Sequence, residues 1–323
     1  MKISIVTDRY DLENSFRPSF VSSLFEVIRF RRWRKVAGWL KGAFIEQREE
    51  NIIVEFSEKV CQEELKNFLL LITGLWRKRP YEEDLSKLPS KFRRISEKLS
   101  TVYPGVRIPV SPKDFVLILI SVILSKRTDY HRFVKRWCLQ IWKKFGDDFK
   151  SILRADLEQI GTSYQLRDMK KTLRDFLEKI GQENIVEMDP DLVRLYLIDK
   201  CWGIGPKVAD SILLNCFKPA KFIPCDVHLV SFVRRTKLVE KFRLPRKDYC
   251  RRFVCTKESS RKTGFEICPI SKECLRAILL EKLGEFSGWF QTLVYLHGRD
   301  FCKPIPRCEK CPVKEFCIVL EAR

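Results

Sequence analysis

Leu197-Ile198-Asp199-Lys200-Cys201-Trp202-Gly203-Ile204-Gly205-Pro206-Lys207-Val208-Ala209-Asp210-Ser211, followed by Cys225-Asp226-Val227-His228, is the stretch on which the reading of this chain turns. Two glycines one residue apart let a backbone turn sharply. The glycine hairpin opens a helix over Lys207–Cys216. The first amides of that helix have no partner within it and form an anion site, reinforced by the helix dipole. Gly203 and Gly205 are therefore candidate DNA-phosphate contacts, of the kind that positions a duplex without reading its sequence. Lys207 sits in the first turn. In a low-dielectric cleft, beside a helix N-terminus, a lysine loses proton affinity and its neutral amine becomes a nucleophile. Asp226 follows the apolar, strand-like segment Phe222-Ile223-Pro224, which aims a carboxylate at the same cleft. A solvated phosphate-binding lysine and a plain helix N-cap are the alternatives for these two residues.

Composition narrows the partners. The chain has 323 residues, 62 Lys+Arg against 42 Asp+Glu, and a formal charge of +20. Such an excess attracts polyanions and exceeds what solubility requires. Nucleic acid is the natural partner, and an acidic membrane is the alternative. Met1–Tyr10 is charged and lacks the apolar core of a secretory signal. The longest apolar run, Phe115–Leu124, is too short to span a bilayer. These features lead us to expect an intracellular monomer, cytoplasmic and at the nucleoid, with no membrane partner. The charged composition leans towards a thermophilic source.

The hydrophobic periodicity predicts an α+β chain. Ile3–Val6, Phe25–Phe30, Trp39–Ile45 and Ile52–Phe56 read as an antiparallel sheet, with a covering helix over Glu63–Leu71. Arg77–Arg94 reads as a mobile basic linker. Helices follow from Ser111-Pro112, where Ser111 is the expected N-cap, and over Asp129–Phe145, Leu166–Ile180, Met188–Leu197, Lys207–Cys216, Leu275–Leu283 and Phe286–His297. The expected division is residues 1–95 (sheet layer and linker), 96–301 (helical core, with a cysteine-bearing insertion at 243–274) and 302–323 (cysteine loop and tail).

Cys302, Cys308, Cys311 and Cys317 read C-x5-C-x2-C-x5-C. Four thiolates in so short a span suit an iron–sulfur cluster or zinc. Cys250, Cys255, Cys268 and Cys274 read C-x4-C-x12-C-x5-C, for which a second metal site or two disulfides both fit.

On the hairpin, Lys207, Asp226 and the cysteine tail, residues 104–317 resemble the helix-hairpin-helix DNA glycosylases. The resemblance implies base excision: Lys207 would displace a damaged base, assisted by Asp226, and a Schiff base would permit β-elimination. The sheet layer resembles that of 8-oxoguanine and of alkyladenine-removing glycosylases, and not endonuclease III, while Val208-Ala209-Asp210, Val227-His228 and Gly288-Trp289-Phe290-Gln291 resemble the 8-oxoguanine type. By that resemblance Gln291 would read the Watson–Crick edge of the flipped base and Tyr295 would stack on it, with Ser211 where that family commonly has a cysteine. No counterpart of the family's base-sensing glycine carbonyl is evident in Phe25–Trp33. The tail resembles the [4Fe–4S] loop of endonuclease III, with one residue fewer in its first gap. Leu124–Asp129 resembles a wedge loop, so Lys126 or Arg127 would fill the gap left by the flipped base. A same-architecture enzyme for oxidised pyrimidines, uracil or thymine mismatches, and a non-catalytic DNA-binding module with a structural metal, are the competing readings.

Overall fold

In the computed structural model, residues 1–181, 185–303 and 305–318 are described. The last five residues of the expected cysteine loop and tail lie outside them.

The N-terminal layer is a five-stranded antiparallel sheet of order β1-β5-β4-β3-β2. Its strands are β1 (Lys2–Val6), β2 (Phe25–Arg29), β3 (Arg32–Lys35), β4 (Phe44–Arg48) and β5 (Asn51–Glu55). The expected strand Trp39–Ile45 is displaced. Gly38, Leu40 and Gly42 all have positive φ, so this stretch is the β3–β4 turn and pairing begins only at Phe44. β3 was not expected because Arg32 to Lys35 contains three basic residues. Trp33 is nonetheless buried, and Lys35 is drawn inward by a carboxylate.

The helices are α1 (Leu12–Phe16), α2 (Gln62–Thr73), α3 (Ser90–Val102), α4 (Phe115–Leu124), α5 (Lys135–Phe145), α6 (Phe149–Arg154) and α7 (Tyr164–Lys179). They continue with α8 (Pro190–Lys200), α9 (Pro206–Cys216), α10 (Val227–Thr236), α11 (Lys247–Cys250), α12 (Lys257–Thr263), α13 (Leu275–Leu283) and α14 (Ser287–Asp300). No helix among the described residues is long and apolar enough to cross a membrane.

All ten residues of α4 are buried, and the helix packs against α7 and α9. An all-round apolar helix belongs at the centre of a bundle. Ser111 does not cap it as expected. Its hydroxyl donates to the Asp114 carboxylate at 2.6 Å, and that carboxylate also accepts from the buried Lys35 ammonium at 2.7 Å and the Trp39 amide at 2.7 Å. Asp114 thus joins the β3–β4 turn to the base of α4.

The stretch Arg77–Arg94 is folded rather than a mobile linker. A 3-10 turn spans Tyr81–Lys87, and α3 follows. Tyr81 is buried, stacks on Trp289 at 5.3 Å and carries the Arg77 guanidinium over its ring at 4.4 Å. Charge in the sequence hid a well-packed aromatic anchor.

Candidate active site

Four neighbours fix α9, the helix that carries Lys207. Asn215, near its C-terminal end, accepts from the Ser19 hydroxyl at 2.7 Å and the Phe20 amide at 3.0 Å. Asp210, in its middle, holds two buried guanidiniums. Arg194 of α8 reaches it at 2.8 and 3.3 Å, and Arg276 of α13 reaches it twice at 2.8 Å. α4 supplies the apolar face beneath.

The hairpin before α9 differs in detail from the expected pair of sharp-turning glycines. Only Gly203 has a left-handed backbone, at φ 72°. Gly205 is extended, at φ −113° and ψ 179°, and is the N-cap of α9 with no side-chain cap. Nothing lies within 4 Å of where a Cβ on Gly205 would stand, whereas one on Gly203 would meet the Lys126 ammonium at 2.9 Å. Gly203→Ala is therefore expected to cost about 1–2 kcal/mol of stability through its φ. Gly205→Ala should cost less, about 0.5–1 kcal/mol, because alanine is a poorer N-cap than glycine. It should nevertheless weaken DNA binding on the order of tenfold, by intruding where a phosphate would approach the amides. Paired thermal melts and duplex-binding titrations check this; equal effects of the two variants on both readouts would contradict it.

Lys207 and Asp226 line one cleft of about 800 Å³. Burial pushes the Lys207 amine below its ordinary pKa, and Asp226 opposes that shift. No strand precedes Asp226; Phe222 to Pro224 is irregular. The carboxylate is instead fixed by two donors. Its Oδ1 caps α10 by accepting the Leu229 amide at 2.8 Å, and its Oδ2 accepts the Gln291 side-chain N–H at 3.1 Å. The N-cap and the cleft-facing carboxylate are thus one arrangement rather than alternatives.

The other expected residues also fall on this cleft, with altered settings. Ser211 is buried, and its hydroxyl donates to the Lys207 carbonyl at 2.9 Å. Tyr295 stands edge-on to His228 at 5.0 Å between centroids, with its hydroxyl 3.5 Å from His131 Nε2. Burial pushes the Tyr295 phenol up to about 12, so it stays protonated. Lys126 and Arg127 part company. The Lys126 ammonium lies over the Trp202 ring at 5.2 Å, against the hairpin. Arg127 is exposed at the loop tip with φ 54°. Gly203 and Gly205 flank the cleft without lining it.

Several lining residues were not anticipated. Ser15, Pro18, Ser19 and Phe20 close one wall, so the N-terminal layer meets the cleft through residues 15–20 rather than Phe25–Trp33. Arg299 pairs with Asp129 at 2.8 Å on the same rim. His228 is kept below its ordinary pKa by burial, against the pull of Asp226. His131 is held down to about 4, mainly by burial and by Lys135. Asp129-X-X-Arg132 was legible as a helix start, but the partner Arg299 lies 170 residues away.

All thirteen cysteines are free, so the disulfide alternative at Cys250, Cys255, Cys268 and Cys274 is not formed. In the tail, Arg235 Nη1 donates to Cys302 Sγ at 3.1 Å, and His297 Nε2 lies 3.2 Å from Cys311 Sγ. Among the described residues no three Cys, His, Asp or Glu side chains already stand at metal-holding spacing.

No protein-family model matches the chain. The chain is 22% identical to an N-glycosylase/DNA lyase of Saccharomyces cerevisiae over 248 residues, 64% of each protein. It is 38% identical over 72 residues to a protein named "Probable N-glycosylase/DNA lyase" from Methanothermobacter thermautotrophicus, 22% of this chain and 23% of that one. The matches thus span 64% and 23% of these curated relatives' lengths. Among solved structures, MBOgg1 in complex with a low-affinity DNA ligand superposes with a TM-score of 0.69 at 16% identity, over 94% of this chain and 96% of that one. The Clostridium acetobutylicum 8-oxoguanine glycosylase/lyase, in complex with DNA containing cytosine opposite 8-oxoguanine, gives 0.63 at 17% identity, over 93% and 98%. The 3-methyladenine DNA glycosylase of Archaeoglobus fulgidus gives 0.62 at 16% identity, over 92% and 98%. The fold is that of the helix-hairpin-helix DNA glycosylases. The superpositions take in the sheet layer as well as the helical core, since these three structures cover 92–94% of the chain.

Proposed function

We propose that this chain is a bifunctional DNA glycosylase and abasic-site lyase that removes an oxidised purine, 8-oxoguanine first among them, from duplex DNA. One observation carries the reading: an amine of lowered proton affinity and a carboxylate held by two donors line the same cleft. Simple phosphate binding needs no such carboxylate. The printed names of the curated relatives and the DNA-bound solved structures support the same reading.

The duplex docks on the amides after Gly205, with Gly203 shaping the hairpin, and the damaged nucleotide turns out of the stack into the cleft. Arg127, at the exposed tip, fills the vacated space, while Lys126 steadies the hairpin. Tyr295, Ser211 and Gln291 face the extruded base. Gln291 also orients Asp226. The neutral Lys207 amine attacks C1′ as the bond to the base breaks, and the electron pair leaves with the base. Asp226 stabilises the positive charge developing on the sugar. Opening of the ring gives an iminium between Lys207 and C1′. Loss of a C2′ proton then expels the 3′ phosphate, and water releases the enzyme.

Asp226→Asn keeps the cap on α10 but removes the charge. It should slow base release on the order of 100-fold or more while leaving duplex affinity within about twofold. Single-turnover base release and a binding titration measure the two quantities. Base release at the parent rate would remove Asp226 from the chemistry.

Cys302, Cys308, Cys311 and Cys317 would hold a [4Fe–4S] cluster. The donor set fits: four free thiols on one loop, a guanidinium donating to Cys302, and the Val313 amide facing Cys311. Bound there, the cluster would cross-link the tail to itself, beside Arg235 of α10 and His297 of α14. Lys303, Arg307 and Lys310 would then face DNA phosphates. With it goes the division into residues 1–95, 96–301 and 302–323. The test of the whole reading is a panel of duplexes carrying 8-oxoguanine, thymine glycol, uracil or a thymine mismatch. Release of free 8-oxoguanine with strand cleavage is expected. Preference for a pyrimidine lesion would replace the substrate, and binding without base release from any duplex would support a DNA-binding module instead.

A further inference from the structure

The segment between Arg243 and Cys274 is a lobe outside the cleft, and it has almost no core. Its buried side chains are Cys250, Val254, Ser259, Cys268 and Cys274, so cysteine supplies three of five. Its regular structure amounts to one four-residue helix, one seven-residue helix and two isolated parallel bridges. Apolar burial of this extent cannot offset the entropy of ordering some thirty residues at about 1 kcal/mol or more each. Small units of this kind are stapled by disulfides or by a metal. Here the cysteines are free.

The backbone brings the lobe's cysteines towards one another, short of metal-holding spacing. The bridge between Val254 and Ile267 sets Cys255 beside Cys268, with the Cys268 amide donating to the Val254 carbonyl at 2.8 Å. The bridge between Arg243 and Cys274 brings the last cysteine back to the entry of the lobe. Cys250 and Cys255 both bear electrostatically on Cys268 and on Cys274. Arg276 Nη1 donates to Cys255 Sγ at 2.9 Å. A charged donor at sulfur is a partner for the thiolate that a metal binds.

We propose that Cys250, Cys255, Cys268 and Cys274 form a structural zinc site that holds this lobe together. Zinc takes four thiolates in a tetrahedron at about 2.3 Å each, so the sulfurs close to a little under 4 Å from one another on binding. The four thiols release their protons, and the complex carries two net negative charges. Arg276 balances part of that charge from one side while its other nitrogens hold Asp210 of α9. The zinc site is thereby tied to the helix that carries Lys207. Ser259 gives the lobe a second anchor, donating to Asp191 of α8 at 2.7 Å.

The test uses the full chain, purified without chelator. Elemental analysis should give one zinc per chain beyond whatever the tail holds. A C255S/C268S double variant should lose that equivalent and leave the tail's iron and sulfide unchanged. A C308S/C311S variant should do the reverse. Should either variant fail to fold, alkylation mapping of the unaltered chain decides. The four lobe cysteines should resist iodoacetamide until a strong chelator is added and then react, with zinc released in step. Four lobe cysteines that alkylate at once without metal release would overturn the proposal, as would two disulfides in the peptide map or iron and sulfide in excess of one cluster.

Discussion

Lys207→Ala is expected to abolish borohydride trapping on a damaged duplex and to slow base release by roughly four orders of magnitude, the scale of removing a covalent nucleophile. Duplex affinity should stay within a few-fold, because the hairpin amides and the +20 charge remain. Lys207→Arg should fail almost as fully, since a guanidinium keeps its proton. The pH profile carries the sign of the lysine's environment. Burial lowers the folded-state pKa below the ordinary 10.5. The neutral, reactive fraction therefore grows as pH rises through that lowered value and levels off before an exposed lysine would have titrated. The trapping rate should climb with pH and reach its plateau below 10.5. His131 is neutral throughout that range and adds no second limb. Single-turnover trapping across pH measures the profile; a rate still rising past 10.5 would mean that the amine is not perturbed.

The second large effect concerns stability. Asp210→Ala leaves the Arg194 and Arg276 guanidiniums, 3% and 2% exposed at the side chain, without their common carboxylate. Stripping the partner from a buried ion pair costs about 3–5 kcal/mol. Here two cations are orphaned at once, against a total stability of about 5–15 kcal/mol for a folded domain. Asp210→Ala should therefore be insoluble or lack a cooperative melt at room temperature. Arg276→Met, which removes one cation and leaves Asp210 paired with Arg194, should lose less. A melting temperature for Asp210→Ala within a few degrees of the parent would show that water or another group replaces the carboxylate.

Much of this was legible because the determining signals are local. The glycine hairpin at 203–205, Asp189 before Pro190 and Asp226 before an apolar run are helix-start signals that need no tertiary information, and all three helices begin there. The all-apolar α4 announced its own burial. What escaped was tertiary in origin. Arg32 to Lys35 gave no strand signal, and it is Asp114, far along the chain, that holds Lys35 inside. Tyr81 read as part of a linker until Trp289 stacked on it. At the cleft, Lys207 and Asp226 followed from motif spacing, whereas the wall at residues 15–20 depends on Asn215 capturing Ser19 and Phe20. The division of labour between Lys126 and Arg127 depends on a left-handed φ and on the Trp202 ring, neither of which adjacent basic residues disclose.

The most direct test of the central claim is borohydride trapping of the unaltered protein on a duplex with a single intact 8-oxoguanine, followed by proteolysis and mass mapping of the DNA-linked peptide. The account predicts a covalent adduct on the peptide containing Lys207, formed at the rate at which free base appears. An adduct on any other lysine, or base release with no adduct at all, would contradict it.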